Sequence, residues 1–145
     1  MVELTSDDLN YFAAFEKITG VIPVDFLVAE TGIYYLVPKP ELGKAIGKKG
    51  CNIEKLRGVM RKKVVIIGDG AEPEEFTRNF FNNVEIISVE VREAMGDRAV
   101  FLTIAEKDRG IAIGKSGERI KAMKGFLKKK FNATISLHTR ATDIY

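Results

Sequence analysis

The sequence predicts an α+β protein built from two copies of one small unit, each ordered helix, strand, strand, helix, helix, strand. Three observations predict this. Residues 43–50 read GKAIGKKG and residues 110–117 read GIAIGKSG, 67 positions later, with six of the eight positions identical. The register runs on without gaps. Ile33, Tyr34, Tyr35 and Val37 fall opposite Val100, Phe101, Leu102 and Ile104, and Ile53, Leu56, Arg57, Gly58 and Met60 opposite Ile120, Met123, Lys124, Gly125 and Leu127. Lys62 and Lys63 fall opposite Lys129 and Lys130. Finally, charge alternates in blocks: residues 1–38 carry −5, 39–68 carry +7, 69–108 carry −6 and 109–145 carry +7. A repeat fixes architecture before any local motif does. Each unit of about 70 residues is near the lower size for a self-sufficient core.

In the first unit, Thr5 or Ser6 can cap a helix whose first turn carries Asp7 and Asp8, which suit the positive end of the dipole. Leu9, Phe12, Ala13 and Glu16 recur at helical spacing, with Phe15 and Ile18 widening the apolar stripe. Gly20 ends the helix. Val24 to Ala29 reads as a strand, Thr31-Gly32 as a turn, and Ile33 to Val37 as a second strand closed by Pro38 and Pro40. A short helix from Glu41 to Ile46 enters Gly47-Lys48-Lys49-Gly50. A longer helix follows with Ile53, Leu56 and Met60 inward, then a strand over Val64-Val65-Ile66-Ile67.

The second unit repeats the order. Glu72 to Asn82 is a helix with Pro73 at an early position. Val84 to Val91 and Ala99 to Ile104 are strands joined by a turn at Gly96-Asp97. Asp108 to Ile113 is the short helix. Gly117 to Lys130 is the long one, with Ile120, Met123 and Leu127 inward. Thr134 to His138 is the last strand. The boundary is expected at Gly68-Asp69-Gly70, giving domains 1–69 and 70–145. Each unit is expected to form a three-stranded sheet with helices on one face.

Composition is that of an ordinary globular protein, with net charge +3 over 145 residues. No apolar run reaches bilayer length, and the acidic N-terminus has no signal-peptide pattern. No membrane association and a cytoplasmic location are expected. The chain has one cysteine and one histidine. That gives no disulfide and no metal-ligand spacing, so no metal, cofactor or catalytic residue is expected. Cys51 is read as a small residue opening a helix, His138 as a sheet residue, and Tyr34, Tyr35 and Phe101, aromatics that could also stack bases, as core residues because they alternate in strands.

Two helices separated by four residues need a sharp reversal, and glycine tolerates the positive φ angles it requires. The loop opens a helix whose free N–H groups and dipole favour a phosphate. Lys48, Lys49 and Lys115 add charge there, while Ile46 and Ile113 supply apolar surface beside it. Alone, a GxxG describes a glycine-capped turn. Duplication and two basic blocks centred on the motif favour an anionic ligand.

Ile46-Gly47-Lys48-Lys49-Gly50 and Ile113-Gly114-Lys115-Ser116-Gly117 resemble the I-G-x-x-G hallmark of the KH family. The element order resembles its type II form. Pro73-Glu74-Glu75-Phe76, Val84-Glu85-Ile86-Ile87-Ser88-Val89 and the second loop together resemble the KH region of the NusA family of transcription elongation and termination factors. The short length matches the archaeal NusA-like form, without a polymerase-binding or OB-type domain. The resemblance implies single-stranded RNA as partner, with the backbone of about four nucleotides clamped by each loop. The clamps would be Gly47, Lys48, Lys49 and Gly50, and Gly114, Lys115, Ser116 and Gly117. Lys44, Lys55, Arg119 and Lys121 are candidates for further phosphate contacts. RNA polymerase is the implied protein partner. A KH-type scaffold in ribosome assembly or RNA processing is the alternative.

An enzyme reading is also available. Gly110, Gly114, Lys115 and Ser116 end like a phosphate loop before a helix. That motif needs four residues between its glycines, and here there are three, Ile111-Ala112-Ile113. The first copy has Lys49 where a magnesium-binding hydroxyl is required.

Overall fold

The computed structural model describes residues 6–142. It divides into two compact units, Met1–Asp69 and Gly70–Tyr145. Each holds three α-helices and one three-stranded sheet.

Unit 1 comprises α1 (Ser6–Thr19), β1 (Asp25–Val28), β2 (Gly32–Val37), α2 (Leu42–Ile46), α3 (Cys51–Met60) and β3 (Lys63–Gly68). Single 3-10 turns, Lys39–Glu41 and Lys48–Gly50, precede α2 and α3. Strand β1 runs antiparallel to β2, and β3 parallel to it. Side chains alternate across a strand. The register Ile33↔Val64 and Tyr35↔Ile66 therefore aims all four at the helices. There they meet Phe15, Ala45 and Leu56, with Ile46, Ile53 and Met60 partly buried against them. Tyr35 is the centre of this core. Its ring stacks on Phe15 at 4.1 Å and on Phe26 at 5.8 Å. Its hydroxyl donates to the Tyr11 carbonyl at 2.9 Å. Burial, and secondarily the Tyr11 phenol, push the Tyr35 phenol well above its ordinary range.

Helix α1 uses only part of the expected face, the Phe12, Phe15 and Ile18 side. Phe15 is buried and Tyr11 and Ile18 pack on the core, while Leu9 is 54% exposed and Ala13 is exposed. The apolar stripe is rotated away from Leu9 and Ala13 by the need to place Phe15 over Tyr35. Thr19 turns polar at the helix end without penalty. Its hydroxyl donates to the Phe15 carbonyl at 2.7 Å and accepts from the Val21 N–H at 3.0 Å. Gly20, at φ 72°, then stops the helix. The capping role expected of Thr5 lies outside the described residues.

Unit 2 comprises α4 (Pro73–Phe80), β4 (Ile86–Ala94), β5 (Asp97–Ala105), α5 (Arg109–Ile113), α6 (Glu118–Phe131) and β6 (Ala133–Arg140). The 3-10 turns recur at Glu106–Asp108 and Lys115–Gly117. The sheet order β4-β5-β6 is again antiparallel then parallel. Val100, Leu102 and Ile104 are fully buried, as are Met123 and Leu127 from α6. Phe76, Phe80 and Phe126 form an aromatic cluster with centroids 6.2–6.4 Å apart.

Most boundaries shift by a residue or two from expectation, and three differences have a clear physical cause. Helix α4 stops at Phe80, and the next backbone N–H groups go elsewhere: Val84 donates to the Phe81 carbonyl and Glu85 to the Asp108 carboxylate at 2.8 Å. Strand β4 therefore starts at Ile86 instead of Val84. It also continues to Ala94, because the turn is Met95-Gly96, not Gly96-Asp97. Met95 at φ 55° and Gly96 at φ 87° leave Ala94 paired with Asp97, the signature of a two-residue type I′ hairpin. The third difference is at the repeat's end. Helix α3 has 10 residues and stops at Arg61 in the left-handed region, whereas α6 has 14 and stops at Asn132 there. The four extra residues are about one turn. Lys62 and Lys63 are thus not the structural counterparts of Lys129 and Lys130, which lie within α6.

Candidate functional site

The two Gly-Lys-x-Gly segments form the same backbone object. Gly47 and Gly114 sit at φ 81°, ψ 165° and φ 79°, ψ 171°. Lys49 and Ser116 sit at φ 56°, ψ 28° and φ 55°, ψ 25°. Gly50 and Gly117 follow at φ 75° and φ 74°. Each loop is tied at both ends: the Gly47 N–H donates to the Gly43 carbonyl at 3.0 Å, and the Gly50 N–H to the Gly47 carbonyl at 3.1 Å. Gly114 and Gly117 repeat these bonds at 3.0 and 3.1 Å.

The two glycines of each loop serve different ends. A Cβ on Gly47 would meet the Cys51 Sγ at 2.8 Å and the Asn52 side chain at 2.9 Å. One on Gly114 would meet the Arg119 Cβ at 2.7 Å and the Arg119 backbone nitrogen at 2.9 Å. Their torsions also lie where glycine alone is comfortable. The first glycine thus lets the following helix close on the loop. Gly50 and Gly117 face open space, with nothing within 4 Å of an added Cβ. They supply a left-handed turn and leave room on the outer side. Gly50 and Gly117 provide no side-chain cap to α3 and α6, although the first N–H of each helix is taken, Cys51 donating to the Lys48 carbonyl and Glu118 to the Lys115 carbonyl.

Lys48, Lys49, Lys115 and Ser116 are all exposed. Two loops with one backbone therefore present different charge, two lysines against one. Ile46 and Ile113 are half-buried; Ile46 packs on the unit 1 core. Lys44, Lys55 and Lys121 are exposed.

A KH-domain family model matches residues 71–142, nearly the whole of unit 2. Proteins named "Probable transcription termination protein NusA" are similar over most of the chain. That of Halobacterium salinarum is 29% identical over 132 residues, covering 90% of this chain and 94% of its own. That of Methanocaldococcus jannaschii is 29% identical over 143 residues, covering 99% of this chain and 74% of its own. The crystal structure of APE1850 superposes with a TM-score of 0.75 at 33% identity, covering 94% of this chain and all 100% of that one. The chain belongs to the NusA-like KH proteins.

Within this NusA-like KH protein, Arg119 departs from its expected place among the phosphate contacts. Its guanidinium donates to the Ile111 carbonyl at 3.1 Å, the Phe80 carbonyl at 3.0 Å and the Asn83 Oδ1 at 2.7 Å. It also lies 5.1 Å over the Phe81 ring. Arg119 fastens α6 to α5 and to the end of α4. Asn52, unmarked in the sequence, holds the matching position of unit 1 and donates to the Lys44 carbonyl at 3.1 Å.

Other residues escaped the sequence. Ile111 is 49% exposed beside the second loop, although the next residue of the short helix, Ala112, is buried. A groove of about 620 Å³ in unit 1 is lined by Glu30, Thr31, Arg57, Arg61, Lys62 and Lys63; the basic block was legible, its concave arrangement was not. Tyr34 and Tyr35 are buried, but Phe101 is half-exposed on the sheet's outer face, contrary to its assignment to the core. The phosphate-loop reading also fails on backbone grounds. Gly110 to Ile113 are helical in α5, so they form no cradle of convergent N–H groups. Among the described residues no helix is long and apolar enough to cross a membrane.

Proposed function

We propose that both units are type II KH domains and that the chain binds single-stranded RNA through two backbone-clamping loops. The family model covers only unit 2. The extension to unit 1 is supported by its identical element order, sheet topology and loop torsions. The single observation that carries the reading is the pair of loops. Each sets an exposed basic turn at the N-terminus of a longer helix, with its outer glycine facing open space. A phosphodiester there meets helix N–H groups, the dipole and lysine ammonium groups together. The bases would lie along the apolar flank offered by Ile111 and the half-buried Ile113 and Ile46.

The likeness to relatives named for transcription termination supports a role as a NusA-like factor in elongation or termination, with RNA polymerase as a partner. The clamps recruit RNA by its backbone and leave base choice to neighbouring side chains.

The test replaces exposed side chains only: Lys48→Asp with Lys49→Asp in one loop, and Lys115→Asp with Ser116→Asp in the other. Gly114→Asp is unsuited, because a side chain there collides with the Arg119 backbone. The full chain is expected to bind single-stranded RNA in preference to duplex, and the four-substitution variant to lose most of that affinity while remaining folded. Full affinity in the folded variant would refute the clamps.

A further inference from the structure

The outer face of the unit 2 sheet carries an arrangement that neither the clamps nor the core explains. An antiparallel pair with one wet face ordinarily alternates apolar inward and polar outward. Strand β5 obeys this at Val100, Leu102 and Ile104, all 0% exposed. It breaks the rule at Phe101, which is half-exposed on the other side. His138, on the neighbouring strand β6, is exposed beside it, with ring centroids 6.4 Å apart and planes within 18° of parallel. The register explains the pairing: His138 lies opposite Thr103, one same-face step along β5 from Phe101. From the third strand, the Arg92 guanidinium reaches within 4.9 Å of the Phe101 centroid. Three strands thus converge an aromatic ring, an imidazole and a guanidinium on one surface.

At the β4-β5 hairpin end this surface meets a groove of about 450 Å³, lined by Arg92, Phe101 and Thr134, by Arg98 from the alternate side of β5 and by Lys128 of α6. Its cations are held loosely. Arg92 pairs with Glu90 at 2.9 Å and Arg98 with Glu93 at 2.8 Å, all at least 39% exposed. Lys128 donates to the Asn132 Oδ1 at 2.9 Å. Asp97 also lines the groove. Exposed pairs of this kind are worth little, so these side chains are free to re-aim at phosphates. In unit 1 the residue matching Phe101 is Tyr34, which is only 4% exposed. The feature therefore belongs to unit 2.

We infer that the outer face of β4-β5-β6 is a second nucleic-acid site, where Phe101 and His138 stack unpaired bases and Arg92 holds the phosphate between them, with Arg98 and Lys128 meeting the strand where it leaves the face at the hairpin-end groove. Planar aromatic, imidazole and guanidinium groups are the side chains on which splayed bases stack. Stacking on Phe101 and His138 requires unpaired bases, so the site suits single strands. The inference takes its ligand class from the RNA-binding reading but uses no loop residue.

The experiment titrates the full chain with oligoadenylate of about 12 nucleotides, following anisotropy and the His138 ring resonances by NMR. Phe101→Ala removes the ring, and Phe101→Leu keeps apolar bulk should alanine loosen the sheet. Each is expected to weaken binding about tenfold with an unchanged salt slope, and wild-type His138 resonances should move upfield. Unchanged affinity in both folded Phe101 variants with unmoved His138 resonances, while the loop variants lose binding, overturns this site alone. Weakened Phe101 variants beside unaffected loop variants support this site and overturn the clamps. No binding by the wild-type chain overturns both.

Discussion

Asn52 and Arg119 stand at the same position of the two units and make the same bond with different chemistry. Asn52 donates to the Lys44 carbonyl and Arg119 to the Ile111 carbonyl, each at 3.1 Å. Both bonds hold the long helix against the short helix that leads into the loop. Arg119 alone goes further, to the Phe80 carbonyl and Asn83. Asn52→Ala should therefore cost about 1 kcal/mol, and Arg119→Ala about 2–3 kcal/mol because a charged donor leaves several partners unpaired. Urea unfolding with amide exchange resolved by unit checks this. Equal costs would show that the extra bonds contribute nothing.

The glycines of a loop should not be equivalent. Gly117→Ala meets no atom and bears only the left-handed torsion, about 1 kcal/mol. Gly114→Ala adds a 2.9 Å approach to the Arg119 backbone nitrogen in a region of torsion space nearly reserved for glycine, about 3 kcal/mol or more. Thermal melts of the two variants, with wild type beside them, measure the difference.

Much of this was legible in the sequence because each unit's interior follows simple periods. Ile33, Tyr35 and Val37 alternate, Leu56 and Met60 recur at helical spacing, and the duplicated glycine loop fixed the helix junction. What was not legible depended on distant partners or local torsions. Arg119 reads as a free cation until Phe80 and Asn83 are seen, 39 and 36 residues away. The ungapped match of Lys62-Lys63 to Lys129-Lys130 came from a lysine-rich tail that conceals one extra helical turn. Leu9 and Phe101 satisfy apolar patterns yet face outward, since a pattern says which residues share a face and not which face is covered. The hairpin at Met95-Gly96 was misplaced by one residue because Met is an unusual occupant of a left-handed position.

Met95 is fully exposed at φ 55° and makes no packing contribution that offsets its torsion. Asn at the first turn position of a type I′ hairpin is preferred. Met95→Asn should stabilise unit 2 by roughly 0.5–1 kcal/mol, read as a higher denaturant midpoint with an unchanged slope.

Tyr35 gives unit 1 an alkaline limit. Its folded-state phenol titrates above the ordinary 10.0, chiefly through burial. The unfolded chain therefore releases this proton first as pH rises. Stability is intact below about pH 10 and falls above it by up to about 1.4 kcal/mol per pH unit for this one group. Tyr35→Phe should lose about 1 kcal/mol at neutral pH with its bond to the Tyr11 carbonyl and flatten the alkaline decline. An unaltered decline would assign it to other groups.

The two loops are proposed to grip the RNA backbone, and by charge to different degrees. The measurement is a single-stranded RNA titration over a salt series, comparing wild type with each loop's aspartate variant. Each lost phosphate contact reduces the log–log salt slope by about 0.7. Binding should weaken in both variants, with a larger loss of slope for Lys48→Asp with Lys49→Asp than for Lys115→Asp with Ser116→Asp. Wild-type affinity and slope in both folded variants would contradict the proposed grip.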